Sequence, residues 1–286
     1  MNLTFPLPSG YAASSFSLRH KIAYLCELRG IDLGDLIKQL EVCNKSFLKI
    51  GQEDFALSDL DKIADFFELT IDELVFQEID EEWIKNPQIQ PKYFKSRGSK
   101  FRTSLPAFKY VREVYGEKFF QFVRKKLQIP SSQMKNYEQE VSLELLNDLL
   151  SILSQTGVRQ NEFWNMGQMI TKISENSEIK SGFENCANPF KVFELLFDEV
   201  ILRYEKNFNY KIRRKFKDGI EVEVNAKDER KEEFHSHVID NHYVSQFRHS
   251  ACAAHLNYIN VNDFKTWFKN SVHQGDQKEV FEIRWN

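Results

Sequence analysis

Several features that would place this chain quickly are missing from its sequence. Its four cysteines, Cys26, Cys43, Cys186 and Cys252, are widely scattered and form no CxxC pair. That spacing argues against a disulfide framework and a zinc finger, and leaves reduced, mostly core thiols. No apolar run approaches the roughly eighteen residues of a membrane-spanning helix. The opening stretch MNLTFPLPSGYAASSFS has no positive charge ahead of an apolar segment, so residues 1–15 are expected to be a disordered arm, and the protein cytoplasmic. No glycine-rich phosphate loop, nucleophile–base pair or paired-carboxylate arrangement stands out, so no catalytic residue is assigned and an enzyme is not expected.

What is present is length and an uneven charge distribution. A chain of 286 residues is comfortable for two domains, and 42% apolar with 28% charged residues is ordinary for a protein that stays in water. From Phe16 to Glu78 there are 7 Lys/Arg against 13 Asp/Glu, whereas from Lys85 to Lys126 there are 12 against 2. An acidic block followed by a basic one can meet a polyanion through the second while the first meets something else; it can equally be a solvated linker and helix face.

Within residues 16–78 the pattern is helical. Leu18, Ile22, Leu25 and Leu28 repeat at the spacing of one buried helix face, and Gly30 ends that helix. Asp32 is placed to cap a second helix over about Leu33 to Leu40. A third is expected from Asn44 to Ile50 with Phe47 and Ile50 inward. Ser58 is expected to cap a fourth carrying Leu60, Ile63, Ala64 and Phe67, and Thr70 to open a fifth through a capping box with Glu73.

The stretch LRGIDLGDLIKQLEVCNKSFLKIGQEDFALSDLDKIADFFELTIDELV resembles the lambda-repressor/Cro-type helix-turn-helix family, most diagnostically from Leu60 to Leu74. The resemblance implies a five-helix all-α DNA-binding domain, with Leu33 to Leu40 as supporting helix and Asn44 to Ile50 as recognition helix. Asn44, Lys45, Ser46 and Lys49 would then face double-stranded DNA, where Asn suits adenine and Lys guanine or phosphate. The chain departs from the family at Ile37, usually a small residue, at Glu41, usually a turn glycine, and at Gly51, usually a glutamate. Glu41 lacks glycine's freedom for a left-handed turn and brings a negative charge close to phosphates.

Asn86-Pro87, Gln90-Pro91 and Gly98 break the helical pattern, so residues 79–103 are read as a basic linker. Lys95, Arg97, Lys100 and Arg102 are its candidate phosphate contacts, which would add affinity without reading sequence.

Residues 104–286 read as α+β. Helical patterns run over about Pro106 to Leu127, Leu143 to Leu153, Glu162 to Ile173 and Pro189 to Phe208. A hairpin then spans Tyr210 to Val224 around Lys217-Asp218-Gly219. A three-residue loop ending in a left-handed Gly219 would pair Phe216 with Ile220, Arg214 with Val222 and Ile212 with Val224. A helix over about Asn241 to Tyr258 leads to a second hairpin, Phe264 to Val272 and Lys278 to Trp285, turned at Gln274-Gly275-Asp276. This order, with the segments FKYVREVYGEKFFQFVRKKL, NPFKVFELLFDEVILRYEKNFNYKIRRKFKDGIEVEV and HQGDQKEVFEIRW, resembles the sensor superfamily of 4-vinyl-reductase-type and heme-NO-binding-like domains. The resemblance implies a small-molecule sensor attached to an output domain. Some relatives carry zinc-binding cysteines around the final Gly-Asp turn, where this chain has Ser271 and Glu279.

The histidines His235, His237, His242, His249 and His255 fit no metal spacing, so neither metal nor cofactor is expected. Phe119, Phe120, Phe122, Phe163, Trp164, Phe190, Phe193 and Phe197 lie at helical spacings and read first as core. Alternatively, Phe163, Trp164 and Phe193 line an apolar ligand pocket, with Tyr204 and His249 as polar handles. The whole reading is a multidomain transcriptional regulator, a helix-turn-helix domain followed by an α+β sensor with an antiparallel sheet. It would bind DNA and a small hydrophobic ligand and act as a homodimer, without a membrane. The alternative is a signalling adaptor whose helical module docks another protein.

Overall fold

The structure is a computed structural model that describes residues 18–41, 56–77, 79–173, 178–229, 241–274, 276 and 278–286. It is a mixed α+β chain with antiparallel sheets, divided into two compact units. One comprises Met1–Ile89 with Gln128–Ser131, the other Gln90–Leu127 with Ser132–Asn286.

In the N-terminal unit, α1 (Leu18–Arg29), α2 (Leu33–Gln39), α3 (Leu57–Phe66), α4 (Ile71–Val75) and α5 (Glu81–Lys85) are short. Local chemistry sets their ends. Asp32 accepts from the amides of Gly34 at 2.7 Å and Asp35 at 3.3 Å to start α2. Thr70 and Glu73 form a reciprocal capping box at α4. The expected cap at Ser58 is not used: α3 begins at Leu57, after Ala56 in extended conformation, with no side-chain cap. The core is made by Ile22, Leu25, Leu36, Ile63, Phe67 and Leu74, joined by Trp83 from α5. Lys21 is buried among them because its ammonium donates to the carbonyls of Glu73, at 3.0 Å, and Gln77 at the end of α4. The expected helix from Asn44 to Ile50 lies outside the described residues, as does the arm 1–15.

The segment read as a basic linker is folded. It contains α5, a 3₁₀ turn at Pro91–Phe94 and strand β1 (Arg97–Lys100), which pairs antiparallel with β2 (Glu140–Ser142). Its charges gave it the look of a solvated connection, but Trp83, Ile84, Tyr93 and Phe101 are buried.

In the C-terminal unit, α6 (Leu105–Tyr115) and α7 (Glu117–Lys126) replace one expected helix, because Gly116 takes φ 85° between them. Next come α8 (Leu143–Gln155), α9 (Gln160–Gln168), α10 (Ile170–Ile173), α11 (Glu178–Glu184) and α12 (Pro189–Leu195), then a π turn at Leu196–Val200 and α13 (Ile201–Tyr204). The sheet consists of β3 (Phe208–Phe216), β4 (Gly219–Ala226), β5 (Phe264–Asn270) and β6 (Glu279–Trp285), in the order β3-β4-β6-β5. A long helix, α14 (His242–Ala254), precedes β5 and runs into a 3₁₀ turn at His255–Ile259. Phe281 and Ile283 of β6 and Ile220, Val222 and Val224 of β4 are buried. On the opposite face charges form pairs such as Arg213 with Glu223 and Lys278 with Glu223, and Lys269 covers the buried Glu282.

The first hairpin corrects the expected register. Its loop has two residues, since Phe216 pairs with Gly219 and Arg214 with Glu221. A bulge at Arg213 then restores the parity, placing Ile212 opposite Val222 and Tyr210 opposite Val224. Gly219 is not left-handed. A Cβ there would stand 2.3 Å from Arg284 Cδ and 2.5 Å from the Ile283 carbonyl, so glycine is required by the close approach of β6.

Candidate functional site

Helix α14 is buried on nearly all sides, which forces its polar residues into the interior. Asn241 caps it, accepting from Tyr243 N at 2.8 Å and Val244 N at 3.3 Å. At its crossing with α9 the backbones nearly touch: a Cβ on Gly167 would lie 2.3 Å from the Phe247 carbonyl. There the Ser250 hydroxyl donates to the Trp164 carbonyl. One row of α14, Ser245, Arg248 and His249, faces Glu279 at the start of β6. Arg248 Nη2 donates to Glu279 Oε1 at 2.9 Å, His249 Nε2 donates to the same oxygen at 2.9 Å, and the Ser245 hydroxyl donates to Oε2. Burial works against the charged form of Glu279, but Arg248 and His249 outweigh it and hold the carboxyl at about 2. Burial lowers the pKa of His249, so its imidazole is neutral and stacks on Phe281 with ring centroids 3.8 Å apart. The Arg248 guanidinium lies over the Phe208 ring at 3.7 Å.

A second row of the same helix, Phe247, Arg248, Ala251 and Cys252, with His255 just beyond, faces a cavity of about 110 Å³. Leu146 of α8, Ile170 of α10, and Leu196 and Val200 of the π turn close it with apolar surface. The π turn adds a residue to the helical path, so that Leu196, Val200, Ile201 and Tyr204 all reach one wall; such turns concentrate at functional sites. The polar members are Tyr204, Glu205, Tyr210, Arg248, Cys252 and His255. Burial pushes the Cys252 thiol up to about 12, leaving it protonated, and pulls His255 down to about 4, leaving it neutral. His255 Nδ1 donates to the Ala251 carbonyl at 2.7 Å, so Nε2 carries the lone pair. Burial raises the Glu205 carboxyl although Asn207 and Ser99 hydrogen-bond to it.

The cavity wall is tied to the start of the unit. Thr103 and Pro106 belong to it directly. The Ser99 hydroxyl of β1 donates to Glu205 Oε2 at 2.8 Å, and Arg102 lies 4.3 Å over the Tyr204 ring. Gly98 fits against Asn207 so closely that a Cβ would meet Oδ1 at 2.0 Å.

Of the ligand residues expected from sequence, Tyr204 lines the cavity. Phe163 packs on Tyr243, Phe193 lies between Phe197 and Trp285, Trp164 contributes its carbonyl to Ser250, and His249 serves Glu279. Arg248, Glu205, Tyr210, Cys252 and His255 were missed; the one signal in the sequence was a run of polar residues on a helix with no polar face. Asn44, Lys45, Ser46 and Lys49 lie outside the described residues. Among the other basic candidates, Lys95 is exposed and Arg97 donates to the Phe94 carbonyl. Lys100 donates to the Glu138 carbonyl and Arg102 to the Glu138 carboxylate at 3.1 Å each. His235 and His237 are outside the described residues. Among the described residues no group of three or more His, Cys, Asp or Glu can hold a metal ion, and no helix is long and apolar enough to cross a membrane. A larger, open and polar depression of about 820 Å³ lies around Lys172, Cys186 and Asn260.

No family model matches the chain, and no curated protein matches it. Among solved structures it is similar to a mutant H-NOX protein from K. algicida in its Fe(II) unliganded form. The TM-score is 0.49 at 10% identity, over 65% of this chain and 96% of that one. At that level of likeness no activity passes from one protein to the other.

Proposed function

We propose that this protein is a ligand-responsive regulator, cytoplasmic and homodimeric, whose C-terminal unit binds a small, mostly apolar molecule and whose N-terminal helical unit reads DNA. The observation that carries the reading is the mostly apolar cavity of about 110 Å³ between α14 and the π turn. Apolar cavities of about 150 Å³ take up benzene, which sets the size of the guest. Binding and not chemistry is the proposed role, because the Cys252 thiol, held up at about 12, is a poor nucleophile. The contacts of Ser99 with Glu205 and of Arg102 with Tyr204 offer a route from the cavity wall to the first strand after the N-terminal unit.

For the output, support comes from the sequence of residues 44–49 and from Glu41, which takes φ 51° after α2, the left-handed turn that the helix-turn-helix resemblance asks for. Dimerisation follows from the two half-sites usual for that class. Benzene titration of the full chain, followed by chemical shifts of α14, tests the cavity; uptake that Ala251→Leu abolishes is expected, and no uptake by the wild type would sink the reading. Selection from random duplexes tests the output, with enrichment lost in a Lys45→Ala/Lys49→Ala variant. The adaptor reading is favoured by the engagement of Lys100 and Arg102 with Glu138 and by the acidic N-terminal balance. Failure of the wild type to enrich any duplex sequence would select it.

A further inference from the structure

The charges of the first hairpin are unevenly matched. Residues 208–226 carry five cations, Lys211, Arg213, Arg214, Lys215 and Lys217, against three acids, Asp218, Glu221 and Glu223. All three acids are engaged: Asp218 by Arg284, Glu221 by Arg213 at 3.8 Å and Glu223 by Lys278 at 3.0 Å. Lys215 is held by Glu194 at 2.6 Å. That leaves Lys211, Arg214 and Lys217, which are exposed and, among the described residues, have no side-chain ion pair or hydrogen bond, although Lys211 and Arg214 stand opposite Glu223 and Glu221 in the ladder.

The backbone gathers this charge on one edge. β3 is an outer strand of the sheet, and its bulge sets two consecutive residues against one partner position. Arg213 reaches Glu221 and Glu223, and Arg214 stands opposite Glu221, so the two arginines share a face instead of alternating. From Lys211 to Phe216 the strip runs about 17 Å at about 3.4 Å per residue. Duplex DNA offers a phosphate about every 3.4 Å of axis on each strand, so each cation can meet its own.

The surroundings narrow the partner. Among the described residues the hairpin exposes no large apolar side chain, and Phe216 is half-buried under the Arg284 guanidinium at 3.8 Å. A single strand calls for open rings on which bases stack, and a bilayer for apolar anchors. The phosphates of a duplex need only the cations. Residues 79–103, where such contacts were expected, spend Arg97, Lys100 and Arg102 on protein oxygens.

We propose that the β3 edge, through Lys211, Arg214 and Lys217, docks the phosphate backbone of double-stranded DNA without reading its sequence. This rests on the reading that the protein binds DNA. It adds a contact in the C-terminal unit, to which that reading gives only ligand binding.

The test titrates the full chain with a random-sequence duplex of about 30 base pairs between 50 and 200 mM salt, about the range over which phosphate contacts are counted. Removing three contacts in Lys211→Gln/Arg214→Gln/Lys217→Gln lowers the slope of log affinity against log salt by about 2.7, so the wild type should lose about fortyfold more affinity than the variant over that range. Lys135→Gln/Lys191→Gln/Lys265→Gln removes the same charge from exposed positions elsewhere in the unit and should keep the wild-type slope. Equal slopes for the wild type and the hairpin variant overturn the proposal, and enrichment of a duplex sequence would then leave the DNA-reading role standing without it. An equal drop in both triple variants overturns it as a net-charge effect. Unchanged duplex binding with lost binding to phosphatidylserine vesicles overturns it in favour of a membrane. If the wild type binds no duplex at all, the proposal fails together with the DNA-reading role.

Discussion

In the N-terminal unit the buried cation Lys21 ends on the backbone carbonyls of Glu73 and Gln77, while in the C-terminal unit Arg248 ends on the Glu279 carboxylate and the Phe208 ring. The first arrangement completes a helix end with neutral acceptors, and burial lowers the lysine's pKa. It needs no opposite charge. The second sets a cation and an anion face to face in the interior, between residues 31 apart in the chain, so each depends on the other to offset its lost hydration. A unit finished by backbone capping tolerates losing its cation. A unit built on a buried charge pair does not tolerate losing one member.

That contrast can be broken most directly at Glu279. Glu279→Gln is expected to cost about 3–5 kcal/mol, because it leaves Arg248 charged and unpaired. Lys21→Met should cost about 1–2 kcal/mol, since the apolar stem is retained and only hydrogen bonds are lost. Denaturant titration with hydrogen exchange read separately at α14 and α1 measures both, and equal losses would end the distinction.

Acid sharpens it next. His255 is held at about 4 in the folded chain against 6.5 for an ordinary imidazole. The unfolded chain therefore binds a proton between those values that the folded chain refuses. Stability from this group is complete above about pH 6.5 and drains as pH falls towards 4, by on the order of 2–3 kcal/mol. Glu279, held at about 2, adds a further loss below about pH 4.5. Exchange protection of α14 measured from pH 7 to 4 should fall, and constant protection across that range would remove His255 from the account.

Glycine substitution gives a smaller contrast. Gly167→Ala should cost about 1–3 kcal/mol or more, because its Cβ would meet a backbone carbonyl. Gly34→Ala in the N-terminal unit meets only Asp32 Oδ1, at 2.9 Å, the oxygen that caps α2. It should cost no more than a cap, about 1 kcal/mol. The smallest effect is expected at Glu41, where Glu41→Gly relieves a left-handed φ of 51° and should stabilise by about 0.5–1 kcal/mol. A lowered melting temperature would mean that the Glu41 side chain contributes more than the strain it causes.

Legibility followed the range of the interactions. The cap at Asp32, the box at Thr70 and Glu73 and the helical repeats Leu18, Ile22, Leu25, Leu28 and Leu60, Ile63, Ala64, Phe67 are set within a few residues of sequence, and they could be read there. The helices and hairpins of the C-terminal unit were legible for the same reason. The bulge at Arg213 was not, since it depends on which face of β3 meets the neighbouring strand. Strand β1 was hidden by its charges, because Arg97 and Lys100 stay at the surface while Gly98 and Ser99 pack against Asn207. In the site, Tyr204 was expected as a polar handle, but Arg248, Cys252 and His255 were not, being polar residues on or just beyond a helix that packing covers on nearly every side.

The sequence by itself determined most element types, the caps at Asp32 and Thr70, the α+β class of the C-terminal region and the uneven charge along the chain. Tertiary structure decided where polar groups go once α14 is enclosed. Alternation puts Glu279 on the face of Phe281 and Ile283 in β6, whereas Glu221 and Glu223 of β4 stay on the outer face with Arg213. Glu279 becomes the partner of Arg248 because the start of β6 lies under α14. The cavity likewise belongs to no single segment. It is left where α8, α10, the π turn and α14 converge without enough side-chain volume to fill the space between them.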